Sequence, residues 1–404
     1  MLSDPRNIRI EDFDYPLPDE RIARYPLAER DHSKLLCLRG DDISEHRFCD
    51  LPSLLPSGTM LVFNDTKVIH ARLLFRKATG AVIEIFCLEP YHMPVAQAFE
   101  QRGQSSWVCM IGNNKRWNGS DLDGQCMVDG QPCTFSATRR DKEGQAWVVD
   151  FRWTGDFSFA EVIENAGVIP LPPYLKRDAE ESDATRYQTV YAHHDGSVAA
   201  PTAGLHFTPE VFDHLKTKGI QTEYITLHVG AGTFKPVSTD TIGEHEMHVE
   251  PVHVTADNLR RLIAHSGKPV VAVGTTTVRT LESLYWFGIQ LHHNPGLDHM
   301  HIRQWDPYEL LADGIPFAEA YGNILRWMER QGTDRLDGAT QLMIAPGYKY
   351  RVINGLVTNF HQPKSTLLLL VSALIGDRWH ECYRYALDHS FRFLSYGDSC
   401  LFLP

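Results

Sequence analysis

Four segments of the sequence place glycine, threonine and ionisable side chains where a predicted strand ends. The first is Asn64-Asp65-Thr66-Lys67, which follows the short apolar run from Gly58 to Asn64. Asn and Asp are frequent turn residues, so the segment could simply form a turn. The functional alternative is that Asp65 accepts a hydrogen bond from a ribose hydroxyl or an amine of a ligand at the edge of a sheet.

The second segment is GSVAAPTAGLHFT, from Gly196 to Thr208. Small residues at this density allow the backbone to approach a ligand closely. They place His206 just before a helix predicted to begin at Pro209. A single histidine is usually structural, so a structural role and a ligand contact both remain open for His206.

The third segment, TLHVGAGTF from Thr226 to Phe234, predicts a strand that ends in glycines. Its Gly230 and Gly232 could form a backbone cradle for a ligand, although a GxG pattern alone is a weak signal. His245, His248, Glu250 and His253 follow shortly afterwards. His248 and Glu250 would share one face of an extended strand. Histidine and carboxylate at such spacing can bind a metal, but no further ligand set follows, and we favour a hydrogen-bonded network without metal.

The fourth segment is VGTTTVRTLES, from Val273 to Ser283, in which a strand leads through Thr275 and Thr276 into a helix. The first backbone N–H groups of a helix can hold a carboxylate. Threonine can also simply cap the helix, which is compatible with ligand binding. Arg279, one turn into the helix, could pair with a carboxylate through two hydrogen bonds.

The elements that must position these segments predict an α/β fold. After residue 154, helices predicted to begin near Ser158, Pro209 and Thr255 alternate with strands, which implies a mostly parallel sheet with ligands at the carboxyl ends of its strands. Residues 72–153 instead contain short runs rich in Val, Ile, Phe and Trp, broken by Gly, Asn and Asp, which is typical of a small antiparallel β-barrel or sandwich. We therefore predict an α/β body from residues 1–71 and 154–404, into which residues 72–153 are inserted as a small antiparallel β-barrel or sandwich domain. Residues 290–340 cannot be placed on the sheet, although AEAYGNILRWMERQG within them predicts a helix.

Composition and charge restrict the class of protein. Hydrophobic residues make up 43% and charged residues 22% of the 404 residues, as in folded globular proteins. No run approaches the roughly 18 to 20 apolar residues that cross a bilayer. The start of the sequence has no signal-peptide pattern, and eight scattered cysteines suit a reducing compartment. A zinc or redox site at Cys126 and Cys133 is the weaker alternative. We expect a non-exported cytoplasmic protein that does not bind membranes, with a monomer favoured.

A formal net charge of −12 argues against a broad nucleic-acid surface, because Lys and Arg carry phosphate binding. It leaves room for a local basic patch. The sequence contains neither a Walker loop nor a strand-borne GxGxxG pattern, which disfavours kinase, ATPase and nicotinamide-dependent functions.

The sequence resembles the S-adenosylmethionine:tRNA ribosyltransferase-isomerases of queuosine biosynthesis, over most of the chain outside residues 290–340. The matching blocks, in the family's order, are DYPLPDERIARYPLAERDHSKLL, LVFNDTKVIHARL, RYQTVYAHHDGSVAAPTAGLHFT, TLHVGAGTFKPV, HEMHVE, VAVGTTTVRTLES, APGYKYRVINGLVTNFHQPKSTLLLLVSALIG and FRFLSYGD. The resemblance implies an α/β barrel-like body with an inserted β-barrel. It also implies transfer of the ribosyl part of S-adenosylmethionine to 7-aminomethyl-7-deazaguanine in tRNA. That transfer gives epoxyqueuosine and releases adenine and methionine.

The resemblance also implies partners and site residues. The partners are tRNA and S-adenosylmethionine, which is a consumed substrate, so no cofactor is expected. The reaction needs a base beside the sulfonium and an acid for departing adenine, and neutral histidine can exchange protons near pH 7. The candidates for these catalytic roles are His206, His228 and His361. The candidates for substrate binding are Asn64, Asp65, Thr202, Gly230, Gly232, His248, Glu250, Thr275, Thr276, Arg279, Asn359 and Lys364.

The chain departs from the family's usual pattern at His70, Gln362 and Val249, and its segment between Tyr285 and Leu342 is longer than usual. One alternative is therefore a paralog that uses the same ribosyl donor for another acceptor. A further alternative is a non-catalytic RNA-binding protein, which would be expected to have lost the histidine, glycine and threonine loops that are intact here.

Overall fold

The computed structural model describes residues 4–77, 79–93, 95–144, 146–230, 237–310 and 314–404. Its strands are β1 Lys34–Arg39, β2 Asp42–Arg47, β3 Met60–Asn64, β4 Thr66–Val68, β5 Arg72–Arg76, β6 Val82–Pro90, β7 Gln104–Gly112, β8 Leu122–Val128, β9 Gln131–Glu143, β10 Ala146–Trp153, β11 Gly167–Val168, β12 His194–Ser197, β13 Gln221–Leu227, β14 Glu250–Thr255, β15 Val270–Val273, β16 Met300–Ile302, β17 Arg335–Thr340, β18 Gly355–Asn359 and β19 Ser399–Leu403. Its α-helices are α1 Leu51–Leu54, α2 Val95–Glu100, α3 Phe159–Ala166, α4 Asp183–Arg186, α5 Pro209–Thr217, α6 Ala256–Ala264, α7 Thr275–His293, α8 Asp306–Glu309, α9 Phe317–Gln331, α10 Thr366–Ile375 and α11 Arg378–Asp388.

A mixed sheet of ten strands forms the body of the protein, in the order β16-β17-β14-β13-β3-β15-β18-β19-β1-β2. Its four central strands β13, β3, β15 and β18 run parallel. The prediction of a parallel sheet is thus confirmed at the centre. Antiparallel pairs occur toward the edges, where β14 pairs with β13 and β17, β18 with β19, and β1 with β2.

The strands β3, β15 and β18 are buried on both faces, as expected for parallel strands covered by helices. All five residues of β3 are buried. Met60 and Val62 contact the larger core, which contains residues of α6, α7, α9, α10 and α11. Leu61 and Phe63 contact a second core with residues of α1 and α5. The alternation of side chains along one strand therefore holds two helical layers to one sheet.

A separate antiparallel sheet of seven strands has the order β11-β5-β6-β7-β10-β9-β8 and its own hydrophobic core. Irregular register at Cys87 and at Val149 interrupts its ladders, and such bulges increase strand twist and bending. The antiparallel character predicted for residues 72–153 is confirmed. Its described ladders leave β11 and β8 as edges, so closure into a barrel stays a prediction. The helix α3 and strand β11, which follow residue 153, also contribute to this sheet and its core.

The helices predicted near Ser158, Pro209 and Thr255 are confirmed as α3, α5 and α6. In each, the hydroxyl of the residue before the helix accepts a hydrogen bond from a backbone N–H of the first turn. The apolar run after Ser365 forms the ten-residue α10. Within the described residues, no helix combines the length and apolar character needed to span a membrane.

Residues 290–340, which the sequence did not place, contribute β16 and β17 to one end of the ten-stranded sheet. β17 pairs with β14, and β16 pairs with β17. The helix predicted in this segment is confirmed as α9, which ends at Gly332 in the left-handed conformation (φ 66°) and packs in the core with α7. The segment is therefore part of the body.

Candidate active site

A cavity of about 870 Å³, which includes space open to solvent, lies at the carboxyl ends of β15 and β18, and we call it the main cavity because the predicted His361 lines it. Its wall includes the segments Ala199–Ala203, Gly274–Thr276 and Thr358–Gln362, together with the first turn of α10. Five of the predicted site residues line it: Thr202, Thr275, Thr276, Asn359 and His361. Residues far apart in the sequence thus meet where the ends of parallel strands form a crevice.

The amino-terminal end of α7 faces the main cavity through Thr275 and Thr276. The residue before the helix is Gly274 (φ 88°), which has no side chain to cap it. The alternative interpretation of a threonine cap is therefore wrong. A 19-residue helix carries a positive partial charge at this end, so the first turn of α7 favours a negative or electron-rich group in the cavity.

His361 is the one predicted catalytic histidine that lines the main cavity. Its Nε2 lies 2.9 Å from Oγ1 of Thr358, and its backbone N–H donates to the hydroxyl of Tyr383 at 3.0 Å. The hydroxyl of Tyr15 donates to its carbonyl oxygen. Burial lowers the pKa of His361 to about 3. The imidazole is thus held in place and neutral at pH 7.

Asn359 presents a hydrogen-bond acceptor at the same wall. Its amide nitrogen donates to the carbonyl oxygens of Leu394 (2.9 Å) and Ser395 (3.3 Å). Its Oδ1 is buried and lies beside the ring of His206, where it acts to raise the pKa of that ring against the larger effect of burial. Since both amide donors are used by the protein, only this oxygen is left for a further contact, in which it accepts.

The two other predicted catalytic histidines lie outside the lining of the main cavity. His206 stacks on Phe48, and its Nδ1 lies 2.8 Å from Oγ of Ser33. Burial lowers its pKa to about 4. The Nδ1 of His228 lies 2.9 Å from Oγ1 of Thr66, and burial lowers its pKa to about 3. Both rings are therefore neutral at pH 7, and the structure does not bring them to His361.

The predicted ligand contacts at Asn64 and Asp65 lie deeper in the protein. The amide of Asn64 bonds both backbone groups of Leu227, accepting from N–H at 3.0 Å and donating to C=O at 2.9 Å, and donates to Thr276 Oγ1 at 3.3 Å. Asp65 accepts from the hydroxyl of Thr226 at 2.7 Å. Burial raises the pKa of the Asp65 carboxyl. Both side chains hold β3 to β13 behind the cavity.

A second cavity of about 540 Å³, open to solvent in part, adjoins the main one, because Thr366 and Leu367 of α10 line both. Three predicted site residues line it: His248, Glu250 and Arg279. Nη1 of Arg279 donates to the Glu250 carboxylate inside the protein. Among the described residues, no group of three His, Cys, Asp or Glu side chains is arranged to hold a metal ion.

Three predicted binding residues remain. Gly230 lies at the end of the described segment 146–230, and its backbone N–H faces the carboxylate of Glu250. Gly232 lies outside the described residues. Lys364 pairs with Glu11 (2.9 Å) and Asp14 (3.1 Å) at the surface, so its charge is already balanced by two carboxylates.

Sequence reasoning did not single out Tyr174, Tyr187 or Ser395, which also line the main cavity. The hydroxyls of Tyr174 and Ser395 are 2.6 Å apart. Tyr187 is fully buried, and its hydroxyl lies beside Ser395 and the backbone of Ala200. The available signal for Tyr174 was its place in the proline-rich sequence LPPYLKR, since prolines restrict the backbone that carries it.

Comparisons with known proteins agree on one family. The sequence pattern of the family described as "Queuosine biosynthesis protein" matches residues 10–402. A relative named S-adenosylmethionine:tRNA ribosyltransferase-isomerase from Aromatoleum aromaticum is 39% identical, over 97% of both chains. A relative of the same name from Francisella tularensis subsp. novicida is 37% identical, over 97% of this chain and 99% of its own.

The crystal structure of an S-adenosylmethionine tRNA ribosyltransferase from Thermotoga maritima is also similar, with 28% sequence identity and a TM-score of 0.46, over 97% of this chain and 100% of that chain. The family pattern and the relatives extend over nearly the whole sequence, including the segments that form both cavities. This chain therefore belongs to the queuosine biosynthesis protein family.

Proposed function

We propose that this protein is an S-adenosylmethionine:tRNA ribosyltransferase-isomerase. The observation that carries the proposal is 39% identity to a relative of that name over 97% of both chains. The enzyme transfers the ribosyl part of S-adenosylmethionine to the aminomethyl group of 7-aminomethyl-7-deazaguanine in tRNA. The ribosyl unit is rearranged to an epoxycyclopentanediol, which gives epoxyqueuosine, and adenine and methionine leave. S-Adenosylmethionine is thus a consumed substrate, and the reaction requires no further cofactor.

The main cavity is the proposed site of the nucleoside. Its lining combines a fixed acceptor on Asn359, the hydroxyls of Thr275 and Thr276, and the imidazole of His361. The first turn of α7 stabilises negative charge that develops as adenine departs.

His361 is the proposed proton-exchanging group in this cavity. Because burial keeps its ring neutral at pH 7, it begins the reaction able to accept a proton, as the step beside the sulfonium requires. His206 and His228 are also neutral at pH 7. Since neither lines the main cavity, we assign proton exchange with the substrate to His361.

A change of acceptor is the second candidate function. Gln362, one of the departures from the family's usual residues, lines the main cavity. A different side chain at this wall can change which acceptor amine fits beside the nucleoside, while donor binding is retained. Mass spectrometry of tRNA nucleosides from a deletion strain separates the two functions. Loss of queuosine supports transfer to the deazaguanine, and unchanged queuosine supports the paralog.

The proposed function also suggests how the two sheets correspond to the parts of the family fold, and in which cell compartment the enzyme acts. We infer that the seven-stranded sheet corresponds to the small β-barrel implied by the family resemblance, and that the body corresponds to its barrel-like α/β part. Action on tRNA places the enzyme in the cytoplasm. A folded sheet with an independent core is consistent with an inserted unit.

The direct test is to incubate the purified protein with S-adenosylmethionine and tRNA that carries 7-aminomethyl-7-deazaguanine. Adenine is measured by chromatography, and the tRNA nucleoside by mass spectrometry. The proposed function predicts equal amounts of free adenine and epoxyqueuosine. tRNA that lacks the deazaguanine is the control and yields neither product. The absence of adenine with the complete substrates would reject the proposed function.

A further inference from the structure

The second cavity has a lining that differs in character from that of the main cavity. It contains a buried guanidinium, a buried carboxylate and several aliphatic or thioether side chains. It shares Thr366 and Leu367 with the main cavity. A ligand that occupies the main cavity can therefore extend into the second one past the first turn of α10.

The guanidinium of Arg279 has donors that the protein does not use. The side chain belongs to a residue only 7% exposed, and its Nε donates to the carbonyl oxygen of Leu342 at 3.2 Å. Nη1 donates to Glu250. Nη2 has no hydrogen-bond partner within the described ranges. Buried donors without acceptors are costly, so an anionic ligand group at Nη2 would stabilise the site.

The carboxylate of Glu250 restricts what that ligand can be. Glu250 is 4% exposed and lies beside Arg279 in the cavity wall. An anion with no positive charge of its own, such as inorganic phosphate, would be repelled by this carboxylate. A group that carries an ammonium next to a carboxylate would instead satisfy both residues.

Apart from His245, His248 and Thr366, the rest of the wall is apolar. Its aliphatic and thioether members are Met247, Leu342, Met343, Ile344, Leu367 and Leu370. Such a surface favours an unbranched hydrocarbon or thioether chain over a polar one.

We propose that the second cavity is an α-amino-acid subsite that holds the methionyl end of S-adenosylmethionine, with Arg279 donating to its carboxylate and Glu250 accepting from its ammonium. This inference rests on the proposed function, because it assigns the nucleoside to the main cavity and the amino acid to the adjoining one. The product methionine occupies the same subsite after adenine has left.

The test uses L-methionine as the probe and measures its binding to the unaltered protein by saturation-transfer NMR. Two truncated compounds are compared with it: 3-(methylthio)propylamine, which has no carboxylate, and 3-(methylthio)propionate, which has no ammonium. Loss of one charge-assisted contact is expected to weaken binding roughly tenfold or more. In the turnover assay, L-methionine should compete with S-adenosylmethionine, and inorganic phosphate should not.

A cavity-narrowing variant provides the second measurement. Met247 is suitable because its backbone is fixed by Gln304 (2.9 Å to N) and Gln341 (2.9 Å to O), while its side chain lines the cavity. Met247→Trp should weaken L-methionine binding and raise the KM for S-adenosylmethionine by roughly tenfold. The matched control is Met127→Trp, at an exposed methionine of β8, which should change neither.

The inference is overturned if the truncated compounds bind as well as L-methionine, if L-methionine does not bind, or if Met247→Trp behaves like Met127→Trp. Because the NMR measurement requires no turnover, these results are separate from the proposed function. An enzyme that releases adenine but does not discriminate among the three compounds rejects only the subsite. A protein that never releases adenine rejects the proposed function.

Discussion

Glu250 on β14 and Arg279 on α7 form an ion pair inside the protein, with the two residues 4% and 7% exposed. Burial raises the pKa of the Glu250 carboxyl, and the positive charge of Arg279 acts in the opposite direction. The pair joins the strand to the helix that forms one wall of the main cavity. Each charge depends on the other, because an isolated charge in this environment would be unstable.

Removal of either charge alone should therefore destabilise the fold. Arg279→Met and Glu250→Leu are each expected to lower the free energy of unfolding by roughly 3 to 5 kcal/mol, because each leaves one buried charge unpaired. The double variant should recover part of this loss. Urea denaturation of the four proteins measures the effects.

The pair Glu223–Arg261 is the control. It also joins a buried carboxylate to an arginine, but the side chain of Arg261 is 55% exposed. Water can therefore replace the guanidinium in part, and Arg261→Met should cost less than Arg279→Met. Equal losses at the two arginines would contradict the interpretation that burial determines the cost.

The buried ring of His228 should make stability depend on pH. Desolvation, followed by the nearby His253, lowers its pKa from the usual 6.5 to about 3. Below pH 6.5 the unfolded chain binds a proton that the folded protein does not bind until about pH 3. The contribution of this residue to stability is thus complete above pH 6.5 and is lost as the pH falls toward 3.

His228→Gln removes this titration. Between pH 7 and pH 5, the free energy of unfolding of the variant should fall by about 2 kcal/mol less than that of the unaltered protein. Urea denaturation at both pH values measures the difference. The same pH dependence in the two proteins would show that the pKa of His228 is not lowered in the folded state.

The fold was largely predictable from the sequence because its signals are local. Ser158, Thr208 and Thr255 cap α3, α5 and α6, which begin where the sequence predicts, and the continuous apolar run of β3 matches its burial on both faces. The placement of β16 and β17 was not predictable. These strands join the sheet through β14, which is distant in sequence, and such pairing leaves no local pattern.

The candidate site was predictable only in part. Glycine and threonine loops after strands indicated the segments near Thr202, Thr275 and His361, and the structure brings these to one cavity. The type of a residue does not reveal whether its polar side chain lines the cavity or forms hydrogen bonds within the protein. Asn64 is an example, because its bonds to Leu227 depend on the pairing of β3 with β13.

Substitution by alanine at two helical glycines should change the free energy of unfolding in opposite directions. A Cβ on Gly288 of α7 would lie 2.2 Å from the backbone oxygen of Ala320, where α9 crosses. Backbone cannot move aside easily, so Gly288→Ala should lower the free energy of unfolding by about 1 to 3 kcal/mol. A Cβ on Gly322 of α9 would meet only Nη1 of Arg326 at 3.6 Å.

Gly322→Ala should therefore gain the intrinsic helix preference of alanine, about 0.8 to 1 kcal/mol. Urea denaturation of the two variants beside the unaltered protein measures both effects. If Gly288→Ala were as stable as Gly322→Ala, α7 and α9 could not pack as closely as the structure has them.

His361→Gln should reduce turnover without preventing donor binding. The ring faces the main cavity, and Gln keeps the polar character of the wall but exchanges protons poorly. The expected loss in kcat is roughly 100-fold or more, measured by adenine release at saturating S-adenosylmethionine. Circular dichroism and donor binding should stay near the values of the unaltered protein. The matched control is His389→Gln at an exposed histidine outside the cavity, which should retain full activity.

Thr358→Val tests whether the orientation of the His361 ring matters, because it removes the hydroxyl that lies 2.9 Å from Nε2 and changes the volume little. If His361 exchanges a proton with the substrate, loss of the contact with Thr358 should lower kcat, because the ring is no longer held in one orientation. The KM for the donor should change less. Since the pKa of His361 is about 3, protonation of this ring cannot account for any fall in activity between pH 7 and pH 5. Full kcat in both His361→Gln and Thr358→Val would remove His361 from the chemistry and leave only a structural role in the wall.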